Sequence, residues 1–160
     1  MKLQFEKYMI KPSLVDQLLK NNNVSYLSYR ALSNQNAIYN LASNDLKLKI
    51  KEHKINDWYL FEKNEIDYSE DFFYSLFVND APLNDIAILF TLEGLIREQC
   101  AFKFQVSDFF TFSSLYEEYF SMEFFQISYY SIYLTKSKMC RYLDEDGVIH
   151  EVNFNFGKRL

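Results

Sequence analysis

Glycine, proline, cysteine and histidine are all scarce in this sequence. Its 160 residues include three Gly, two Pro, two Cys and two His. So few glycines leave few positions that can adopt a positive φ angle, which argues against a glycine-rich phosphate-binding loop. The shortage of both Gly and Pro also excludes collagen-like chains and Gly/Pro-rich low-complexity chains.

The two cysteines, Cys100 and Cys140, are too far apart in sequence to form a CxxC motif. With His53 and His150 they are the only thiol and imidazole groups, and no spacing among the four matches a zinc site. We therefore expect two buried, reduced thiols, no metal site and no cofactor. Cys140 and His150 flank a predicted turn, but the expected hairpin register places Cys140 opposite Glu151, so a Cys–His nucleophile pair is not favoured.

Targeting segments and catalytic motifs are also missing. The N-terminus has no apolar stretch typical of a secretory signal, and no apolar run approaches the ~18 residues of a membrane span. Walker A, GxSxG, GxGxxG, HExxH and protein kinase motifs are absent from the sequence. We therefore predict a cytoplasmic protein that does not bind a membrane and is not an enzyme. The alternative of an enzyme with an unrecognised site would use Cys140 or His150.

Aromatic residues, by contrast, make up 19% of the chain, with 16 Phe and 13 Tyr. The densest stretch is 109–134, and its spacing predicts a helix with a break near Ser121 or Ser128. A strand from Phe124 onward is the alternative, since aromatic and β-branched residues are dense there. Tyr129, Tyr130 and Tyr133 do not all fit one helical face, and any of them that lies exposed beside the acidic residues would be a candidate contact with a partner.

Alternation and turn signals predict the other elements. The patterns predict strands at 2–10, 46–51 and 58–61, a short strand or extended link at 101–106, and a C-terminal β-hairpin of 138–143 and 148–154 around the turn 144–147. They predict helices from Pro12 to about 21, at 69–77 and at 84–99. Leu14, Val15, Leu18 and Leu19 form the expected buried face of the first of these helices.

The sum of these elements is an α+β fold. We predict a single domain over 1–160 with a mostly antiparallel sheet, helices packed on one face of that sheet, and the C-terminal β-hairpin. No internal repeat or long linker divides the chain.

Charge is unevenly distributed along the chain, whose formal net charge is −5. Residues 1–60 carry nine Lys and Arg against five Asp and Glu, whereas residues 61–146 carry six against sixteen, a net −10. An acidic region of this size disfavours nucleic acid as a partner and favours a basic protein. Composition rich in Phe, Tyr, Asn, Lys and Ile is typical of an AT-rich coding sequence, which indicates a bacterial or phage origin.

These observations favour a binding protein, namely a small acidic inhibitor of the immunity or antitoxin type that neutralises a basic toxin or nuclease. The alternative is a homo-oligomeric structural protein that uses exposed aromatic residues. The expected partner-binding residues are the acidic and aromatic side chains of two segments: Glu65, Asp67, Tyr68, Glu70 and Asp71 in the first, and Asp144, Glu145 and Asp146 in the second.

Overall fold

Within the part of the chain that the structure describes, seven strands form one antiparallel sheet, around which the helices pack. The computed structural model describes residues 2–24, 27–41, 50–55, 58, 70–126 and 129–154. Every pair of neighbouring strands is antiparallel, and the spatial order is β1-β4-β3-β5-β6-β7-β2. The strands are β1 (Met9–Ile10), β2 (Ile50–Lys54), β3 (Ile86–Thr91), β4 (Ala101–Gln105), β5 (Tyr130–Leu134), β6 (Met139–Leu143) and β7 (Val148–Asn153).

Short helices or helical turns lie in the connections from β1 through to β5, and one helix precedes β1. Side chains start two of them, since Ser28 Oγ accepts a hydrogen bond from Ala31 N and Asn34 Oδ1 accepts one from Ala37 N. The helices are α1 (Lys2–Glu6), α2 (Pro12–Asn21), α3 (Tyr29–Leu32), α4 (Gln35–Asn40), α5 (Glu70–Phe77) and α6 (Phe109–Phe120), with a π-helical turn at Gly94–Glu98 and a 3-10 turn at Val106–Asp108.

Both faces of the sheet are covered by helices. In β3, Ala87 and Leu89 pack into a cluster with α1, α5 and α6, which we call the aromatic layer. Ile88 and Phe90 pack on the opposite face with α2, α3 and α4, which we call the aliphatic layer. The predicted α+β class, antiparallel sheet and C-terminal hairpin are confirmed, but the prediction of helices on one face is wrong. Alternate residues of a strand point to opposite faces, and here both faces are apolar.

The structure corrects two predicted elements. Residues 2–10 are α1 followed by the two-residue strand β1, not one strand. Residues 84–99 are β3 and the π-helical turn, not a helix. Because a strand buried on both faces is a continuous apolar run, its pattern resembles that of a buried helix. The predicted helix at 69–77 and strand at 101–106 are confirmed by α5 and β4.

The aromatic stretch 109–134 is divided between two elements. Its first part is α6, which ends at Ser121 in the left-handed conformation (φ 54°), and its last part is β5. Tyr130 and Tyr133 are buried in the aromatic and aliphatic layers, respectively, and the Tyr129 hydroxyl donates a hydrogen bond to Leu32 O at 2.8 Å. These three rings do not fit one helical face, and the sheet accommodates them because it is covered on both faces and takes rings on either side.

The C-terminal hairpin pairs Leu143 with Ile149 and Cys140 with Val152. This register differs by one residue from the expected pairing of Cys140 with Glu151. The predicted strands 46–51 and 58–61 lie mostly outside the described residues; within the described part, β2 begins at Ile50 and pairs with β7.

Candidate interaction site at the C-terminal hairpin

The turn between β6 and β7 is built around Asp144. Its carboxylate Oδ1 accepts hydrogen bonds from Asp146 N at 2.9 Å and Val148 N at 3.0 Å. Its backbone N–H donates to Val148 O, and its carbonyl accepts from Gly147 N. A carboxylate that binds its own turn in this way fixes the backbone. The side chains of Glu145 and Asp146 are exposed at the tip of this fixed turn.

Trp58 supports the same turn from the aromatic layer. Its indole Nε1–H donates to Glu145 O at 3.3 Å, and the side chain is 5% exposed. Gly147 has a φ of +79°, and a Cβ added there would lie 2.2 Å from Trp58 Cγ. Gly147 is therefore required both for its backbone conformation and for the space that the indole ring takes.

His150 joins the turn to the sheet on the opposite side of the hairpin. Its Nε2 lies 2.7 Å from Asp144 Oδ2, and its Nδ1 lies 3.8 Å from Glu52 Oε1. The Tyr142 ring stacks on the imidazole with centroids 4.7 Å apart and planes 13° apart. Burial alone would raise the pKa of the Asp144 carboxyl, but hydrogen bonds from His150 and from the N–H groups of Val148 and Asp146 outweigh it, and that pKa lies below its usual range.

An Asp–His pair resembles the orienting half of a nucleophilic triad, which also needs a hydroxyl or thiol within hydrogen-bond reach. Within the described ranges, His150 Nδ1 and the Tyr142 hydroxyl are buried without a hydrogen-bond partner. Cys140 instead lies 3.7 Å from Ser131 Oγ, and burial raises the pKa of its thiol to about 12. A thiol that ionises so poorly is a weak nucleophile. The contacts that the structure shows for the Asp144–His150 pair hold the turn.

Arg141 occupies the other face of the hairpin. It is 5% exposed, and its guanidinium donates to both carboxylate oxygens of Asp80 at 2.8 Å, to Phe77 O at 2.7 Å and to Glu151 Oε2 at 2.9 Å. The hydrogen bonds from Arg141 lower the pKa of the Asp80 carboxyl, although burial opposes them. This bidentate pair ties the turn after α5 to the middle of β6.

A cleft of about 430 Å³ opens above Arg141. Positive and negative groups alternate along it, and Lys51 Nζ lies 4.0 Å from Glu151 Oε1. Since the donors of Arg141 are already used by Asp80, Glu151 and Phe77 O, the cleft does not offer a free guanidinium to an anion. Its other lining residues include His53, Ser75 and Asn79.

The structure places only some of the predicted partner-binding residues. Glu65, Asp67 and Tyr68 lie outside the described residues. Glu70 and Asp71 lie in the first turn of α5, where negative charge also interacts favourably with the helix dipole.

The second predicted segment forms one turn, in which Glu145 and Asp146 are exposed and Asp144 is internal. Sequence reasoning missed the supporting residues Trp58, Arg141 and Glu52. The sequence could have predicted the role of Arg141, because this residue is the single charge in an otherwise apolar strand. That pattern is typical of a buried ion pair.

No family model, curated protein or solved structure matches this chain. Across the described ranges, no group of three or more His, Cys, Asp and Glu side chains is arranged to hold a metal ion. None of the helices that the structure describes is both long and apolar enough to cross a membrane.

Proposed function

We propose that this protein binds a basic protein through the acidic turn of its C-terminal hairpin and thereby inhibits it, in the manner of an immunity protein. The observation that carries this proposal is the fixed backbone of the turn, in which the Asp144 carboxylate accepts from Asp146 N and Val148 N and pairs with His150. Glu145 and Asp146 project from this backbone into solvent.

Rigidity at this position favours binding because less conformational entropy is lost when the partner docks. Trp58 beneath Gly147 and the Asp144–His150 pair restrict the turn from two sides. One further carboxylate lies beside the turn on β2, where Glu52 is 60% exposed and lies 3.8 Å from the imidazole that Asp144 binds. Exposed carboxylates steer a basic partner during its approach and select against acidic ones.

The proposed compartment is the cytoplasm. Cys100 and Cys140 are both buried free thiols, which suits a reducing environment. An inhibitor of this kind would protect the cell that makes the toxin or nuclease, so the product of the neighbouring gene is the first partner to test.

Co-purification of the tagged protein with that gene product tests the proposal. We expect a variant with Glu145→Gln and Asp146→Asn to bind about tenfold more weakly at low ionic strength, with a smaller difference at high ionic strength. The matched control is Glu118→Gln with Glu123→Gln, which removes the same charge from two other exposed positions. The proposal fails if no basic partner binds, or if the control variant weakens binding as much as the turn variant does.

The predicted segment 65–71 needs its own variant, in which Glu65, Asp67, Glu70 and Asp71 are replaced by their amides. A loss of affinity in this variant alone would move the binding site from the hairpin to that segment. A loss in both would indicate one acidic surface.

Self-association through exposed aromatic residues is the second candidate function. The observation that favours it is a stacked pair on the surface, in which the Tyr74 and Phe110 rings lie 5.0 Å apart and Phe110 is 44% exposed. Sedimentation at micromolar concentration tests it. If the wild-type protein is a dimer and the Phe110→Ser variant is a monomer, the result supports self-association. A monomeric wild-type protein would contradict it.

A further inference from the structure

Helix α2 has a wider apolar face than the sheet covers. Val15 and Leu19 are fully buried in the aliphatic layer, whereas Leu14 is 50% exposed and Leu18 is only partly buried. The sequence predicts all four to be buried together, and the structure leaves the edge of that face open. An apolar edge of a helix in contact with solvent is a place where an apolar side chain of a partner can pack.

A groove runs beside this edge and is here named the α2 groove. Its first part has a volume of about 440 Å³ and lies between α2 and Lys7, Met9 and Lys103. Its second part, of about 240 Å³, continues past the end of α2 towards Ile86 and Thr135. Leu18, Asn21 and Lys103 line both parts, so the two depressions adjoin each other.

The α2 groove is basic although the chain is acidic. Lys7 and Lys103 are both exposed in it, and within the described residues neither has a carboxylate within 4.0 Å. Lys7 Nζ lies 5.1 Å from the centroid of the Tyr8 ring, which orients the ammonium without neutralising it. Two unpaired ammonium groups in a protein of net charge −5 create a local positive potential.

We infer that the α2 groove is a docking site for an acidic, amphipathic segment of a partner protein. Aliphatic side chains of that segment would contact Leu14 and Leu18, and its carboxylates would pair with Lys7 and Lys103. The side-chain amides of Gln17 and Asn21, which also line the groove, would bind its backbone. This inference does not rest on the proposed function, because the two surfaces have opposite charge and lie on different elements.

Fluorescence anisotropy with labelled synthetic peptides tests the inference. The probe is an acidic decapeptide that contains Leu residues, and the comparison peptides have either Ser in place of Leu or Lys in place of the acidic residues. We expect the acidic Leu peptide to bind, and Lys7→Glu with Lys103→Glu to weaken that binding by about tenfold or more. Leu14→Ser should weaken it by about threefold to tenfold, since half of that side chain is available for contact.

The matched control is Lys51→Glu with Lys54→Glu, which changes the net charge equally on the exposed strand β2. All five substituted positions are exposed, and circular dichroism verifies that each variant is folded. Peptide binding that both double variants weaken equally would overturn the inference, because the attraction would then be general. Three other results would also overturn the inference. Leu14→Ser could leave peptide binding unchanged, the Ser peptide could bind as tightly as the Leu peptide, or no binding could be measured at about 1 mM peptide.

Discussion

Asp144 Oδ2 and His150 Nε2 lie 2.7 Å apart across the turn that Asp144 itself holds. The same carboxylate therefore fixes the turn, through the N–H groups of Asp146 and Val148, and fastens it to β7 through the imidazole. One side chain thus controls the position of the two exposed acidic residues that follow it.

Acid should destabilise the protein in part through Asp144. Because its folded-state pKa is lowered, the carboxylate stabilises the fold above the unfolded-state value of about 3.9, and this contribution is lost as the pH falls through the folded-state pKa. We expect Asp144→Asn to cost about 1–3 kcal/mol at neutral pH and to flatten the loss of stability below about pH 4. Urea unfolding across a pH series measures both effects. Asp146→Asn is the control, and an unchanged pH dependence in Asp144→Asn would contradict the assignment.

Gly147→Ala should destabilise the protein by about 2–4 kcal/mol, because the new methyl group adds left-handed strain and a clash with the indole of Trp58. Replacing Trp58 by Ala removes the clash but not the strain. In that background we expect Gly147→Ala to cost only about 1 kcal/mol. Chemical denaturation of the four proteins gives this coupling energy, and equal costs in both backgrounds would show that the ring can move aside.

Arg141→Met should cost about 3–5 kcal/mol, because the substitution leaves Glu151 and Phe77 O without their buried donor. Asp80→Asn should cost less, about 1 kcal/mol, since the Asp80 side chain is 66% exposed and solvent replaces part of the interaction. Because Arg141 lowers the pKa of Asp80, the Asp80 contribution is also lost as the pH falls below about 4. Thermal and urea unfolding rank the two variants, and a larger cost for Asp80→Asn than for Arg141→Met would contradict this account of the Arg141 contacts.

Ser121→Gly should stabilise the protein by about 0.5–1 kcal/mol, because Ser121 ends α6 with a φ of 54°, a conformation that glycine adopts without strain. Ser114→Gly, an exposed position inside the same helix, should instead cost about 0.5 kcal/mol. Equilibrium unfolding measures the free energy of unfolding of both variants. We expect Ser121→Gly to raise it and Ser114→Gly to lower it, and a change in the same direction would contradict the prediction.

Local chemistry made the C-terminal hairpin predictable from sequence. Asp146 and Gly147 carry a turn signal whose requirement for a positive φ at Gly147 is met in the structure. The exact pairing was not predictable, because Asp144 accepts from Val148 N and so shifts the register by one residue. The exposed position of Glu145 and Asp146 followed from the turn, whereas the support from Trp58 depends on a contact 87 residues away in sequence.

Tertiary burial explains the elements that were predicted wrongly. Residues 86–91 are apolar on all sides, and only the packing of helices on both sheet faces makes them a strand and not a helix. In the same way, the helix of the aromatic stretch ends at Phe120 and its strand begins at Tyr130, in a region where side-chain periodicity alone left both alternatives. Leu14 was expected to be buried and is half exposed. A helical pattern does not show how far the sheet extends beneath the helix.

Trp58 is the only tryptophan in the chain, and its indole contacts the turn that carries Glu145 and Asp146. The intrinsic tryptophan emission of the protein therefore reports on a single place. A tryptophan-free basic partner seated on the turn should shift or quench this emission, whereas a peptide in the α2 groove should leave it unchanged. The protein thus contains its own spectroscopic means of distinguishing the two binding surfaces without a label.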